Sequence, residues 1–70
     1  MNTYTVKVTK SDIDHQCTAE SPRNAARLTV GVFGQDIPAD SLIEVSHRRG
    51  SDRFSVDTRG RVRELAIYRV

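Results

Sequence analysis

The feature that most constrains the fold is the stretch Thr18 to Arg27, where the pattern of a β-strand changes into the pattern of a helix. Ser21 is a strong helix N-cap, because its hydroxyl can accept a hydrogen bond from a free amide of the first turn. Pro22 follows at the first helical position, where its missing N–H costs nothing and its φ already suits a helix. The chain is therefore predicted to form strands, then one helix, then strands again.

Alternating apolar and polar residues predict antiparallel strands on both sides of this helix. Before it, Tyr4, Val6 and Val8 share one face of a first strand, and residues 15–20 form a second. After it, three strands are predicted over residues 43–48, 53–57 and 61–70, with turns at residues 50–52 and 58–60. The expected fold class is α+β, an antiparallel sheet with one helix packed on one face, in the order β-β-α-β-β-β. One such domain is expected over residues 1–70.

The helix itself is predicted from Pro22 to Phe33, with Gly34 as a left-handed C-cap. An apolar stripe at helical spacing is formed by Ala25, Leu28, Thr29, Val32 and Phe33. Because burial of a large apolar side chain is worth about 1.5–3 kcal/mol, Leu28, Val32 and Phe33 are expected to hold the helix on the sheet.

The last strand is the least regular. Strict alternation would place one set of residues on a single face, namely Val62, Glu64, Ala66, Tyr68 and Val70. Leu65 and Ile67 would then lie on the other face. A bulge near Glu64 would instead bring Val62, Leu65 and Ile67 inward. In a third arrangement both faces are buried, one of them against another chain, and we predict a homodimer through residues 62–70.

Size and cysteine usage restrict the class of protein. Seventy residues build a thin core, which seldom supplies more than about 3–5 kcal/mol of stability. The single cysteine excludes an internal disulfide.

The first residues lack the features of a signal peptide, and no apolar run is long enough to span a membrane. A cytoplasmic protein without a membrane partner is expected, stabilised by oligomerisation or by docking on a larger partner.

Four potential metal ligands lie close together in the sequence, namely Asp12, Asp14, His15 and Cys17. A structural zinc site requires four converging ligands, usually in paired spacings, and no second pair is present. The simpler interpretation is that His15 and Cys17 are half-buried side chains on one strand face, beside Ala19.

Cys17 and His47 offer a second chemical interpretation, a nucleophilic dyad, because each falls on the inward face of its predicted strand. No orienting third group or oxyanion-binding motif accompanies them. The four glycines are scattered, so they cannot form a phosphate-binding loop. We therefore expect no enzyme, no catalytic residue, no metal and no cofactor.

Charge is distributed unevenly. Residues 1–42 carry four basic and five acidic residues, whereas residues 43–70 carry seven arginines and four acidic residues. Six of these arginines flank the two predicted turns and are predicted to bind a partner: Arg48, Arg49, Arg53, Arg59, Arg61 and Arg63. In a twisted antiparallel sheet, adjacent hairpins can bring such residues onto one rim. The alternative is a solvated sheet face on which arginines pair with acidic residues across strands.

The layout resembles that of small phage-encoded anti-CRISPR proteins of similar length. The matching segments are Tyr4 to Val8, Thr18 to Ser21, Ala25 to Arg27, Ile43 to Val45 and Phe54 to Val56. The resemblance implies an inhibitor that docks on a protein or nucleoprotein complex through charged loops and strand edges, without a catalytic step.

A small dimeric regulatory protein that contacts duplex nucleic acid is the alternative. Three of the four aromatic rings are expected inward, so contact with duplex phosphates is favoured over base stacking.

Overall fold

A five-stranded antiparallel sheet and one helix form the fold, in the order predicted from the sequence. The structure, a computed structural model, describes residues 1–38, 40–59 and 64–70, the side chains of residues 58, 59, 64 and 65 excepted. Its elements are β1 (Asn2–Val8), β2 (Asp14–Ala19), α1 (Pro22–Phe33), β3 (Leu42–His47), β4 (Gly50–Arg59) and β5 (Glu64–Arg69). A 3₁₀ turn, Gly34–Asp36, follows the helix.

The strands lie in the spatial order β2-β1-β3-β4-β5, and every neighbouring pair is antiparallel. The middle of the sheet is set by the register that places Val6 opposite Val45 and Ile43 opposite Phe54. These residues share one face of the sheet and are buried. The predicted α+β class with one helix on one face of the sheet is therefore confirmed.

The helix begins where the sequence predicts. Ser21 is extended, and its Oγ accepts a hydrogen bond from the Asn24 N–H at 3.2 Å. Pro22 occupies the first helical position. The predicted end is wrong in one respect, because Gly34 has φ −50° and ψ −37°, which is right-handed, and the chain continues into the 3₁₀ turn. The helix thus tightens at its end instead of reversing through a left-handed cap.

The helix face that meets the sheet differs from the predicted one. Ala25, Ala26 and Thr29 are fully buried, whereas Leu28 is 49% and Val32 is 71% exposed. The contact face is rotated by about 40° from the predicted stripe, given 3.6 residues per turn. Small alanines allow the helix backbone to lie close to the sheet. The close packing gained in this way outweighs the burial of apolar area that Leu28 and Val32 would provide.

The prediction that Leu28 and Val32 hold the helix on the sheet is therefore wrong. Phe33 is half-buried and packs against the core, and its ring meets the His15 ring edge-on with 5.1 Å between centroids. Val30, on the rotated face, also packs against the core.

The first predicted turn after the helix lies two residues earlier than expected. His47 pairs with Gly50, so Arg48 and Arg49 alone form the turn between β3 and β4. Gly50 begins β4 with φ +138°, a conformation that residues with a side chain rarely adopt. The glycine is therefore part of the turn chemistry even though it belongs to the strand.

The last strand keeps strict alternation over its described part. Pairing with β4 runs one to one from Arg59 opposite Glu64 to Phe54 opposite Arg69, so no bulge interrupts β5. Ile67 packs against the core, whereas Tyr68 is 46% exposed. The alternative positions proposed for Val62 lie outside the described residues.

Replacing Ser21 with alanine tests the helix start. Loss of the cap leaves the Asn24 amide without its acceptor, and we expect Ser21→Ala to lower the free energy of unfolding by about 1 kcal/mol. Amide exchange at residues 23–25 should accelerate. Ser21→Asp, which retains an acceptor oxygen, should preserve both stability and exchange protection. Equal protection in the alanine variant would contradict the cap.

A pair of neighbouring substitutions tests the rotated helix face. Because Val32 is exposed, we expect Val32→Ala to change the free energy of unfolding by less than about 0.5 kcal/mol. Phe33→Ala removes a ring that packs on the core and should cost about 2–3 kcal/mol, a large share of the stability of so small a domain. Urea titrations of both variants provide the measurement, and similar losses would favour the original stripe.

Candidate functional site

The candidate arginines that the structure describes occupy different parts of the sheet. Arg48 and Arg49 form the exposed turn between β3 and β4. Arg53 lies within β4, and its exposed guanidinium is 3.4 Å from Glu44 Oε2. Arg59 is the last residue of β4. Arg61 and Arg63 lie outside the described residues.

The expectation that the two hairpins share one rim is wrong for Arg59. Two successive hairpins share their middle strand, so their turns lie at its opposite ends. β4 has ten residues, and at about 3.3 Å per residue it separates Gly50 from Arg59 by about 30 Å. The structure therefore brings Arg48 and Arg49 together at one end of the sheet and places Arg59 at the other.

A chain of polar contacts supports the turn that carries Arg48 and Arg49, and we call this turn the arginine turn. The backbone N–H of Arg49 donates to His47 Nδ1 at 3.2 Å, so the ring proton is on Nε2. That nitrogen lies 3.3 Å from Asp52 Oδ2, to which it donates. The other carboxylate oxygen of Asp52 accepts a hydrogen bond from Arg69 Nη2 at 2.8 Å. The His47 ring thereby joins the turn to β4.

Arg69 is a neighbour of the arginine turn that the sequence did not indicate. It belongs to the last strand, far from the arginine turn in sequence, and only the β4–β5 register places it opposite Phe54 and within reach of Asp52. Because Asp52 is engaged by Arg69 and His47, its charge is partly satisfied within the fold. Arg48 and Arg49 make no ion pair with any residue that the structure describes.

A groove of about 700 Å³ lies beside the arginine turn. It is lined by the turn residues, by His47 and Asp52, and by Pro22 and residues 1–4 at the start of the chain. Tyr4 contributes a buried ring that meets the His47 ring edge-on, with 6.1 Å between centroids. Exposed guanidinium groups at the rim of such a groove suit phosphate or carboxylate groups, which they can bind in a bidentate manner.

Cys17 and His47 do not meet as a nucleophilic dyad would require. Tyr4 of β1 lies between them, since it pairs with Cys17 in the sheet and contacts the His47 ring. Two strand spacings, about 9.6 Å, separate β2, which carries Cys17, from β3, which carries His47. Burial also raises the pKa of the Cys17 thiol, which disfavours the reactive thiolate.

His15 has a structural role at the helix. Its Nε2 lies 2.8 Å from Thr29 Oγ1, and the Thr29 hydroxyl donates to the Ala25 carbonyl at 3.0 Å. The imidazole therefore donates to the threonine oxygen and joins β2 to α1. Among the described residues, no three His, Cys, Asp or Glu side chains converge as a metal site would require. The one described α-helix is too short and too polar to cross a bilayer.

Comparisons with protein families, with curated proteins and with solved structures found no match to this chain.

Cys17 provides a test of the thiol environment. Because burial raises its pKa, less thiolate forms at a given pH, and we expect iodoacetamide to alkylate the native protein more slowly than the urea-unfolded protein at pH 8. Cys17→Ser should fold, and a chelator should leave the melting temperature of the parent unchanged. A fall in melting temperature with chelator, accompanied by bound metal in elemental analysis, would revive a site at His15 and Cys17.

Proposed function

We propose that this chain is a small non-enzymatic binding module, an inhibitor of the anti-CRISPR type, that docks on a protein or nucleoprotein complex. The arginine turn is its main contact surface. The observation that carries the proposal is the pair Arg48 and Arg49, both exposed, side by side in a two-residue turn, and without an ion pair among the described residues.

Folding does not account for this pair. Exposed ion pairs are worth roughly 0–1 kcal/mol, and these two arginines lack even that contribution within the described fold. Contact with an anionic partner is the better explanation for two guanidinium groups on one turn.

The support beneath the turn favours binding. The Arg49 amide is held by His47, which is held by Asp52, so the turn backbone is ordered before a partner arrives. A pre-ordered loop loses less conformational entropy on association than a mobile one. The adjacent groove adds a concave surface in which a protruding side chain or a phosphate can be received.

Arg53 is less suited to this role. It is paired across the sheet with Glu44, and Glu44 is paired in turn with Lys7. Alternating charges along this row neutralise one another on the open face of the sheet. The solvated-face interpretation thus applies to Arg53, while the partner-binding interpretation is retained for Arg48 and Arg49.

Contact with duplex phosphates, in a small regulatory protein, is the second candidate function. The same two guanidinium groups support it, since arginine binds phosphate well. Salt separates the two candidates, because binding driven by phosphate contacts weakens steeply as salt rises. The inhibitor should hold no free duplex and should require its protein or nucleoprotein partner.

Charge reversal at the arginine turn tests the proposal. We expect Arg48→Glu combined with Arg49→Glu to leave the melting temperature nearly unchanged, because neither side chain packs in the core. Capture of a CRISPR–Cas nucleoprotein complex from a bacterial lysate by the immobilised chain, followed by mass spectrometry and by titration of the purified complex, should be lost in this variant. Retained binding would place the interface elsewhere on the molecule.

Lys7→Glu combined with Lys10→Glu is the matched control, because it changes the net charge by the same amount. Lys7 lies on the open face of the sheet. Lys10 is paired with Asp40, and by donating a hydrogen bond to that carboxylate it lowers the pKa of Asp40. Both ends of that pair are exposed, so its loss should cost little. The control should bind like the parent, and a fluorescent DNA duplex titrated at low and high salt tests the second candidate in parallel.

A further inference from the structure

A second interaction surface lies at the β5 edge of the sheet, away from the arginine turn. β5 pairs with β4 on one side and is the last strand in the sheet order. The Val70 N–H donates to the Arg53 carbonyl of β4 at 2.9 Å. Backbone groups alternate in direction along a strand, so Ile67 and Arg69 direct their N–H and C=O groups away from β4.

A groove of about 420 Å³ runs beside this edge, between β5 and helix α1. Ala66, Ile67 and Tyr68 line it on the strand side. The helix lines it with Arg23, Arg27, Val30 and Gly31, which recur on one flank at helical spacing. A strand edge beneath a helix flank can accept an extended peptide as an additional strand.

The helix flank indicates the chemistry of the peptide. Arg23 and Arg27 are exposed, lie one turn apart and make no ion pair with a described residue. A segment added along β5 would direct every second side chain toward them, because side chains alternate across a strand. Acidic side chains at those positions would meet the two guanidinium groups, while apolar ones between them would face the opposite side of the sheet, near the exposed Tyr68.

We propose that the β5 edge binds an extended acidic segment of a partner protein by strand addition, with Arg23 and Arg27 selecting its acidic side chains. A second copy of this chain, as in the predicted homodimer through residues 62–70, is the competing occupant. A two-fold pairing of β5 with itself would bring the arginine flanks of both copies toward the same interface. Like charges in that position oppose the pairing, so charge complementarity favours the acidic segment.

The test is an NMR titration of the ¹⁵N-labelled full chain with a short peptide that alternates glutamate and valine. We expect saturable shifts at the Ile67 and Arg69 amides and along the Arg23 flank of the helix. A peptide with lysine in place of glutamate should bind more weakly by a factor of about ten or greater, because its lysines meet the like charge of Arg23 and Arg27. No saturable shift, shifts confined to other surfaces, or equal binding of the lysine peptide would overturn the proposal.

Variants of the helix flank test which residues form the binding site. Arg23→Glu combined with Arg27→Glu should weaken the glutamate peptide about tenfold and favour the lysine peptide instead. Gly31→Trp should block the groove, since the space around the Gly31 Cβ position is open, while Gly31→Ala should leave binding intact. Each variant is first checked for a cooperative melt, and unchanged peptide binding by the folded tryptophan variant would overturn the proposal.

The experiment also separates this surface from the arginine turn. The double Arg48→Glu, Arg49→Glu variant should bind the glutamate peptide like the parent. Peptide binding at the β5 edge can therefore be established even if the arginine turn binds no partner. Sedimentation without peptide completes the design. A dimer whose formation shifts the Ile67 and Arg69 amides would show that a second copy occupies the edge, and would overturn the assignment to an acidic segment.

Discussion

Close contact between α1 and the sheet is the constraint on which the rest of the structure depends. Ala25 and Ala26 have no side chain beyond Cβ, so the helix lies low over Val6, Ile43 and Val45, and these residues are buried on the covered face. Thr29 is buried at the same contact, where it satisfies its hydroxyl by donating to Ala25 and accepting from His15. The polar groups at this interface are thereby paired, which a core this thin requires.

That contact determines which surfaces remain available to partners. Because the helix turns its small residues inward, Leu28 and Val32 face outward, and the flank with Arg23 and Arg27 faces β5. The same helix contributes its first residue, Pro22, to the groove beside the arginine turn. The His47–Asp52–Arg69 contacts support that turn.

The two proposed surfaces have one feature in common. In each, guanidinium groups that are unpaired within the described fold lie beside backbone whose conformation the fold determines. At the arginine turn, the shape comes from a two-residue hairpin whose following glycine has positive φ. At the β5 edge, it comes from a strand that ends the sheet and offers its own N–H and C=O groups. The other two arginines with described side chains are paired within the fold, Arg53 with Glu44 and Arg69 with Asp52.

The sequence by itself determined the element order, the helix start and the inward faces of the first strands, because capping and alternation are local properties. It also placed Arg48 and Arg49 near a turn. Tertiary structure decided the rotation of α1, since the approach of Ala26 to the sheet depends on packing between distant residues. It likewise decided the separation of Arg59 from the arginine turn and the contact between Arg69 and Asp52, because both follow from strand register, which no single segment encodes.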